Sequence, residues 1–285
     1  MKRIIVIINL IFLTCVSFLN AQPKPKLYIN FSKNTYLTGE YEQVEVGVIN
    51  VNHYIFTEGW EKLVLELIDE NGKNFEYKGI SGGVFLEWKG QKLNPGEKAY
   101  NILLLNDSFG KSWHSFATVD LYLDPGKYTL RGTLYLPDGD TSKSEASFQV
   151  IEPSGEELSV YHSFVNIITE FQKTKNDFDL TNRLQSVLDA HPQTVYAPLI
   201  LDILNASYDF GLNQHDKAFS VRKKLVENYS WSVRGRPMID DVLQKIQSDS
   251  ERIKYLEKIH VNSKGTMMEK VYEKKIKAVK EKAVK

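Results

Sequence analysis

Residues 146–171 read ASFQVIEPSGEELSVYHSFVNIITEF, and the period of hydrophobicity changes inside them. Up to Glu152 apolar and polar side chains alternate, the two-residue period of a half-buried strand. From Leu158 onward the apolar positions fall three or four apart, at Tyr161, Phe164, Val165, Ile168 and Phe171, which is one face of a helix. Between the two patterns Pro153 stops the strand. Ser154 and Glu157 then predict a capping box, with Ser154 as N-cap and Glu157 reaching back to it. The chain therefore divides near Ser154 into a strand half and a helical half.

Upstream of that point, period two recurs at Leu27–Phe31, Val44–Ile49, Leu63–Ile68, Phe75–Tyr77, Val84–Trp88, Ala99–Leu105, Lys127–Leu136 and Ala146–Ile151. The connections carry turn chemistry: DENG (69–72), NPGE (94–97), DPGK (124–127) and PDGD (137–140) each pair a Pro or Asp with a Gly that tolerates positive φ. Seven or eight short strands at this spacing predict an antiparallel, Ig-like β-sandwich over residues 22–152. There is no Cys…Trp…Cys core.

Downstream, helices are predicted over Asp177–Ala190, from Thr194 to Gly211 with Pro198 in the first turn, over Asp216–Tyr229, and from near Ile239 to His260. Short connections make neighbouring helices antiparallel, so residues 153–262 form an α-helical hairpin stack. One internal echo supports a repeat. VLDAHPQTVYAPLIL (187–201) aligns with LVENYSWSVRGRPMI (225–239) at an offset of 38, placing Thr194 opposite Ser232 as helix-opening residues. Residues 263–285 carry eight Lys against three Glu from Lys264 on. Met268, Val271 or Tyr272, Ile276, Val279 and Ala283 form a stripe there, predicting a basic amphipathic helix.

The 285 residues are 42% hydrophobic, 12% aromatic and 25% charged, which excludes disordered, collagenous and disulfide-framework classes. Lys plus Arg balance Asp plus Glu at 36 each, so no net field draws nucleic acid to the molecule. The strand half holds 13 basic against 18 acidic residues and the helical half 21 against 18. Residues 1–21, MKRIIVIINLIFLTCVSFLNA, have the layout of a signal peptide: Lys2 and Arg3, an apolar run from Ile4 to Leu19, and a small residue before a cut. The run is short for a bilayer span, which needs about 20 apolar residues. Lipid attachment at Cys15 is disfavoured, because Phe12 and Thr14 stand where that signal wants Leu or Val and Gly or Ala. The chain is expected to be exported to the periplasm or outside the cell, beginning at Gln22 and lacking any thiol.

The segment AHPQTVYAP (190–198) resembles the loop-to-helix segment of bacterial exported tetratricopeptide-like proteins. NTYLTGEYEQVEVGVIN (34–50), KLNPGEKAYNILL (92–104) and LDPGKYTLRGTLYLPDG (123–139) are similar to Ig-like domains of exported bacterial proteins and to macroglobulin-type β-domains. Asn20-Ala21-Gln22 resembles cleavage sites common in Bacteroidota. What the resemblance implies is structural: turns, caps, core alternation, and repeats of a kind that bind other proteins. It carries no catalytic residue.

The chemistry-bearing residues do not assemble into a motif. The six histidines (His53, His114, His162, His191, His215, His260) have no i,i+4 partner among themselves, and no HExxH or HxH is present, so no metal site is expected; His260 is taken as a satisfied histidine beside an apolar face. Asp138 and Asp140 supply too few oxygens for calcium and suit a hairpin turn. GISGG (79–83) falls one residue short of a nucleophile elbow. Ser108 and Lys111 have Ser-x-x-Lys spacing but lack its partner motifs and sit in a β-domain loop. No catalytic residue and no cofactor are assigned.

Aromatic residues concentrate in two long connections. One holds His53, Tyr54, Phe56 and Trp60; the other holds Phe109, Trp113 and Phe116. Tyr54, Phe56, Trp60 and Trp113 are the candidate binding residues, since flat rings bury much area at small entropic cost. The competing explanation is that these rings cap the core. The function expected is a non-catalytic, exported interaction protein whose partner is a protein or the cell envelope. The alternative is a glycan-binding module using the aromatic loops, and an uncharacterised hydrolase is the weakest option. The basic C-terminal helix allows weak contact with a membrane surface. A fragment ending at Glu152 is expected to stay soluble as a sandwich.

Overall fold

The computed structural model describes residues 24–50, 62–75, 77, 93–109, 123–136 and 139–283. Eight strands among these form two sheets. β1 (Lys26–Phe31), β3 (Gln43–Ile49) and β6 (Lys98–Leu104) make a three-stranded antiparallel sheet in the order β1-β3-β6. The second sheet runs β2-β8-β7-β4-β5, built from β2 (Thr35–Leu37), β4 (Lys62–Asp69), β5 (Asn74–Phe75), β7 (Gly126–Tyr135) and β8 (Thr141–Ile151). It is a mixed sheet. β2 pairs with β8 in parallel, through Tyr36 opposite Val150, while its other pairings are antiparallel. The all-antiparallel expectation is corrected at this edge. β2 is too short to show a period of its own, and Thr38 N–H donating to Ile151 O continues the pairing beyond it.

Val44, Val46 and Val48 from the first sheet and Leu67, Leu130 and Leu134 from the second are fully buried in one shared core. β7 alternates buried and open positions along its length, as period two requires. β3 does not: its polar positions Gln43 and Glu45 are buried as well as its valines. On the second face of the three-stranded sheet the helical half covers β6 and the start of β3, through Ile102, Leu104 and Gln43, while β1 leaves Lys26 and Asn30 exposed.

The helical half is joined to β8 by the three residues before its first helix. It comprises α2 (Gly155–Thr174), α3 (Asp177–Ala190), α4 (Ala197–Ala206) continued by a π-helical turn at Ser207–Gly211, α5 (His215–Asn228), a 3-10 turn at Val233–Met238, α6 (Ile239–Gln244), α7 (Asp249–Asn262) and α8 (Glu269–Ala283). The remaining helix, α1 (Leu105–Phe109), is a single turn following β6 in the strand half. No described helix is long and apolar enough to cross a membrane.

Three local expectations are corrected. Ser154 is extended and N-terminal to α2, but its side chain makes no capping bond. Glu157 reaches across to the next loop instead, accepting from the Thr194 hydroxyl at 2.5 Å and from Val195 N–H at 3.2 Å. The long helix expected from Ile239 to His260 is broken after Gln244. Ser248 restarts it by accepting from Glu251 N–H at 3.2 Å, and Arg252 Nε donates to the stranded carbonyls of Leu243 and Ile246, each at 3.0 Å. Ser108 lies within α1, where its buried hydroxyl donates to Leu104 O.

The 38-residue echo has a structural counterpart. Thr194 Oγ1 accepts from Tyr196 N–H and Ser232 Oγ from Arg234 N–H, two residues on in each case. The loops touch: Tyr229 donates its hydroxyl to Pro192 O at 2.6 Å. On α8 the apolar stripe is turned inward. Met268 and Tyr272 are fully buried, and Val271, Ile276 and Val279 pack on the helical core, so the face that α8 leaves to solvent is its lysine face.

Candidate functional site

The two halves meet along residues 38–43, TGEYEQ, which lead into β3. Gly39 has φ +82° and lies so close to Tyr161 that a Cβ there would stand 2.8 Å from the ring. The Tyr161 and Tyr196 rings are 5.7 Å apart, and Tyr196 donates its hydroxyl to Thr38 O at 2.9 Å. Burial raises the Tyr196 hydroxyl well above its ordinary range, with Glu157 adding to it, so it stays a donor. In the second loop Val233 N–H donates to Gln43 Oε1 at 3.1 Å, and the Arg234 guanidinium sits 4.4 Å from the Tyr41 ring centroid. Equivalent positions of the repeat, Tyr196 and Arg234, therefore both grip this one segment. Tyr41, Ile102 and Leu104 belong to the helical core although they come from the strand half.

Glu42 is the most perturbed carboxyl along this seam. It is fully buried, and neither carboxyl oxygen has a hydrogen-bond partner among the described residues. Loss of solvation pushes it up to about 8; its own backbone N–H and the Asn106 side chain pull the other way, and neighbouring Glu40 adds to the rise. Asn106 ties the backbone around it, accepting from Glu42 N–H at 3.2 Å and donating to Glu40 O at 3.4 Å. A perturbed acid marks many active sites, but this one is sealed from any substrate. Its chemistry is confined to holding or releasing a proton inside the fold.

The second concentration of polar groups lies at the π-helical turn, where Leu212 N–H donates to Ser207 O five residues back. Gly211 passes so close to Asp177 at the start of α3 that a Cβ would lie 2.4 Å from its carboxyl carbon. Asp209 binds His215 Nδ1 at 2.6 Å and the Arg222 guanidinium, while Arg222 Nε donates to Asn205 at 2.7 Å. The His215 bond, with Arg222 assisting, holds the Asp209 carboxyl below its ordinary range. The His215 ring is largely open to solvent, and no hydroxyl or thiol among the described residues is bonded to it. The result is a turn braced by charge. It carries Phe210, 75% exposed, and one residue beyond Asp177 stands Phe178, 63% exposed.

Of the residues singled out from sequence, Tyr54, Phe56, Trp60 and Trp113 lie outside the described residues, as does GISGG. Phe109, from the second aromatic connection, is buried and meets Tyr77 edge-on with centroids 5.3 Å apart, so it caps the strand core. Gly139 turns the β7–β8 hairpin with φ +86°. His260 is corrected: its Nε2 is buried without a hydrogen-bond partner, and with Glu269 and Glu273 it forms the group of potential metal ligands found among the described residues. Sequence reasoning also missed Glu42 and the Phe178–Phe210 pair. Glu42 precedes β3, outside the alternating run that begins at Val44, so no period marks it as buried, and a π-turn has no period to recognise.

No family model matches the sequence, and no curated protein matches it. Solved structures that resemble it include CopC from Methylosinus trichosporium OB3b, at 11% identity and a TM-score of 0.25, covering 45% of this chain and 97% of CopC. Another is the sporulation control protein Spo0M from Bacillus subtilis, at 15% identity and a TM-score of 0.25, covering 51% of this chain and 56% of Spo0M. Likenesses at that score carry no argument about what this chain does.

Proposed function

We propose that this chain is a non-catalytic, exported interaction protein that engages a protein partner of the cell envelope through the π-turn edge of its helical half. The observation that carries this is the exposure of Phe210 and Phe178 on a turn held rigid by Asp209, His215, Arg222 and the Asp177–Gly211 contact. Two large aromatic rings on a pre-ordered backbone lose little entropy on binding, and such rings are common anchors of protein interfaces. Single exposed apolar residues are ordinary; two flanking one tight contact are a better candidate. The finer fold belongs to the same proposal: an Ig-like strand half, and a tetratricopeptide-like helical half supported by the matched Thr194 and Ser232 loops. Export rests on the signal-peptide layout of residues 1–21.

Cross-linking in the native envelope tests it. The F178S/F210S chain should keep its circular dichroism spectrum and lose its cross-linked protein species. Unchanged cross-linking, or a partner that proves to be glycan and insensitive to these two residues, overturns it.

A further inference from the structure

We propose that His260, Glu269 and Glu273 form a site for one divalent transition-metal cation of the zinc class, clamping α8 to α7. His260 is in the last turn of α7. Glu269 and Glu273, four residues apart at the start of α8, lie on one face of that helix. The turn between the helices is tightly bonded: Ser263 N–H and its hydroxyl both donate to His260 O, at 3.1 and 2.9 Å, and the Thr266 hydroxyl donates to Ser263 O at 2.6 Å. Glu269 is anchored by Gly265 N–H, which donates to its Oε2 at 2.9 Å. One donor atom from each of the three residues falls within 4.8 Å of the others.

The imidazole supplies the second observation. Its Nε2 is buried, has no hydrogen-bond partner, and stands 3.6 Å from Glu273 Oε1. That is too long for a hydrogen bond. It is close to the roughly 3.4 Å that separates two ligands of a tetrahedral zinc ion bound at about 2.1 Å. A buried ring nitrogen left unpaired beside two converging carboxylates is a set that a cation completes. Three protein ligands with a fourth position for water is a common zinc arrangement. The nitrogen donor disfavours calcium and magnesium, which take oxygen ligands. Because α8 is also held by Lys275 on Asp240 and Lys280 on Glu257, the ion would add a third tie at its N-terminal end.

The test uses the purified chain made without a polyhistidine tag and stripped with a chelator. Titration calorimetry with zinc should give one saturable site, and the melting temperature should rise with zinc. His260→Asn and Glu273→Gln should each weaken that site by more than about tenfold, while His162→Asn leaves it unchanged. Cobalt in place of zinc should give the visible absorption of a tetrahedral ion, lost in Glu273→Gln, and circular dichroism checks that each variant is folded. Absence of a saturable site, or a site that both His260→Asn and Glu273→Gln retain, overturns the proposal and leaves His260 and Glu273 as an ordinary ion pair.

Discussion

At the scale of single residues, Glu42 binds its proton more tightly in the folded chain than in the unfolded one, because folding removes the water that would solvate its anion. A carboxyl raised from 4.5 to about 8 favours folding at acid pH. That advantage is full below about pH 4.5 and is lost as pH rises toward 8, by at most about 1.4 kcal/mol per unit. Glu42→Gln should flatten this dependence. Denaturant midpoints measured from pH 5 to 8 should fall steadily for the native chain and stay nearly level for the variant, with the variant the more stable at pH 8. Parallel curves would show that Glu42 keeps its charge in the fold. Carried back from β3, period two puts Glu42 on the face of Val44, Val46 and Val48, which is the strand core, and its charge is felt there by Tyr36 and Tyr128. What the sequence does not show is that a carboxyl on that face is left without a partner among the described residues.

Individual elements show where sequence patterning succeeds. β7, α3 and α5 follow their expected spans because each buries one face against one core, so a single period describes them. β6 serves two cores. Ala99, Leu103 and the following Leu105 point into the strand core, while Ile102 and Leu104 belong to the helical core. Its run ILLL at 102–105 is the mark of a strand buried on both faces, and it is the one signal in the sequence that announces the seam. Glu157 shows the converse. Its spacing from Ser154 fits a cap, but a carboxylate gains more by satisfying the Thr194 hydroxyl and Val195 N–H of the next loop than by a cap at an exposed helix start. Glu157→Ala and Thr194→Val should each cost about 1–3 kcal/mol, and the double variant should cost clearly less than their sum, as expected for directly coupled partners. Additive losses from denaturant melts would contradict the cross-loop bond.

The whole molecule is organised by residues 38–43 and β6, which give the two halves a common boundary rather than a flexible linker. Tyr41, Ile102 and Leu104 are buried only because the helices are present, so a fragment ending at Glu152 would expose them together with the uncapped face of β3. For a fragment ending at Glu152, expected from sequence to be a soluble sandwich, the shared core predicts aggregation or binding of hydrophobic dye instead. The switch of period at Ser154 marks where strands end and helices begin, and it says nothing of whether the halves fold independently. The seam also gives the proposed binding edge its rigidity, since Tyr196 and Arg234, which precede α4 and α6, are fixed to the strand half. Scanning calorimetry of the full chain and of I102A/L104A tests this most directly. A single transition that moves down as one in the variant, by roughly 2–5 kcal/mol for each truncated side chain, is the predicted result. Two separate transitions, with the helical one unmoved by the substitutions, would contradict it.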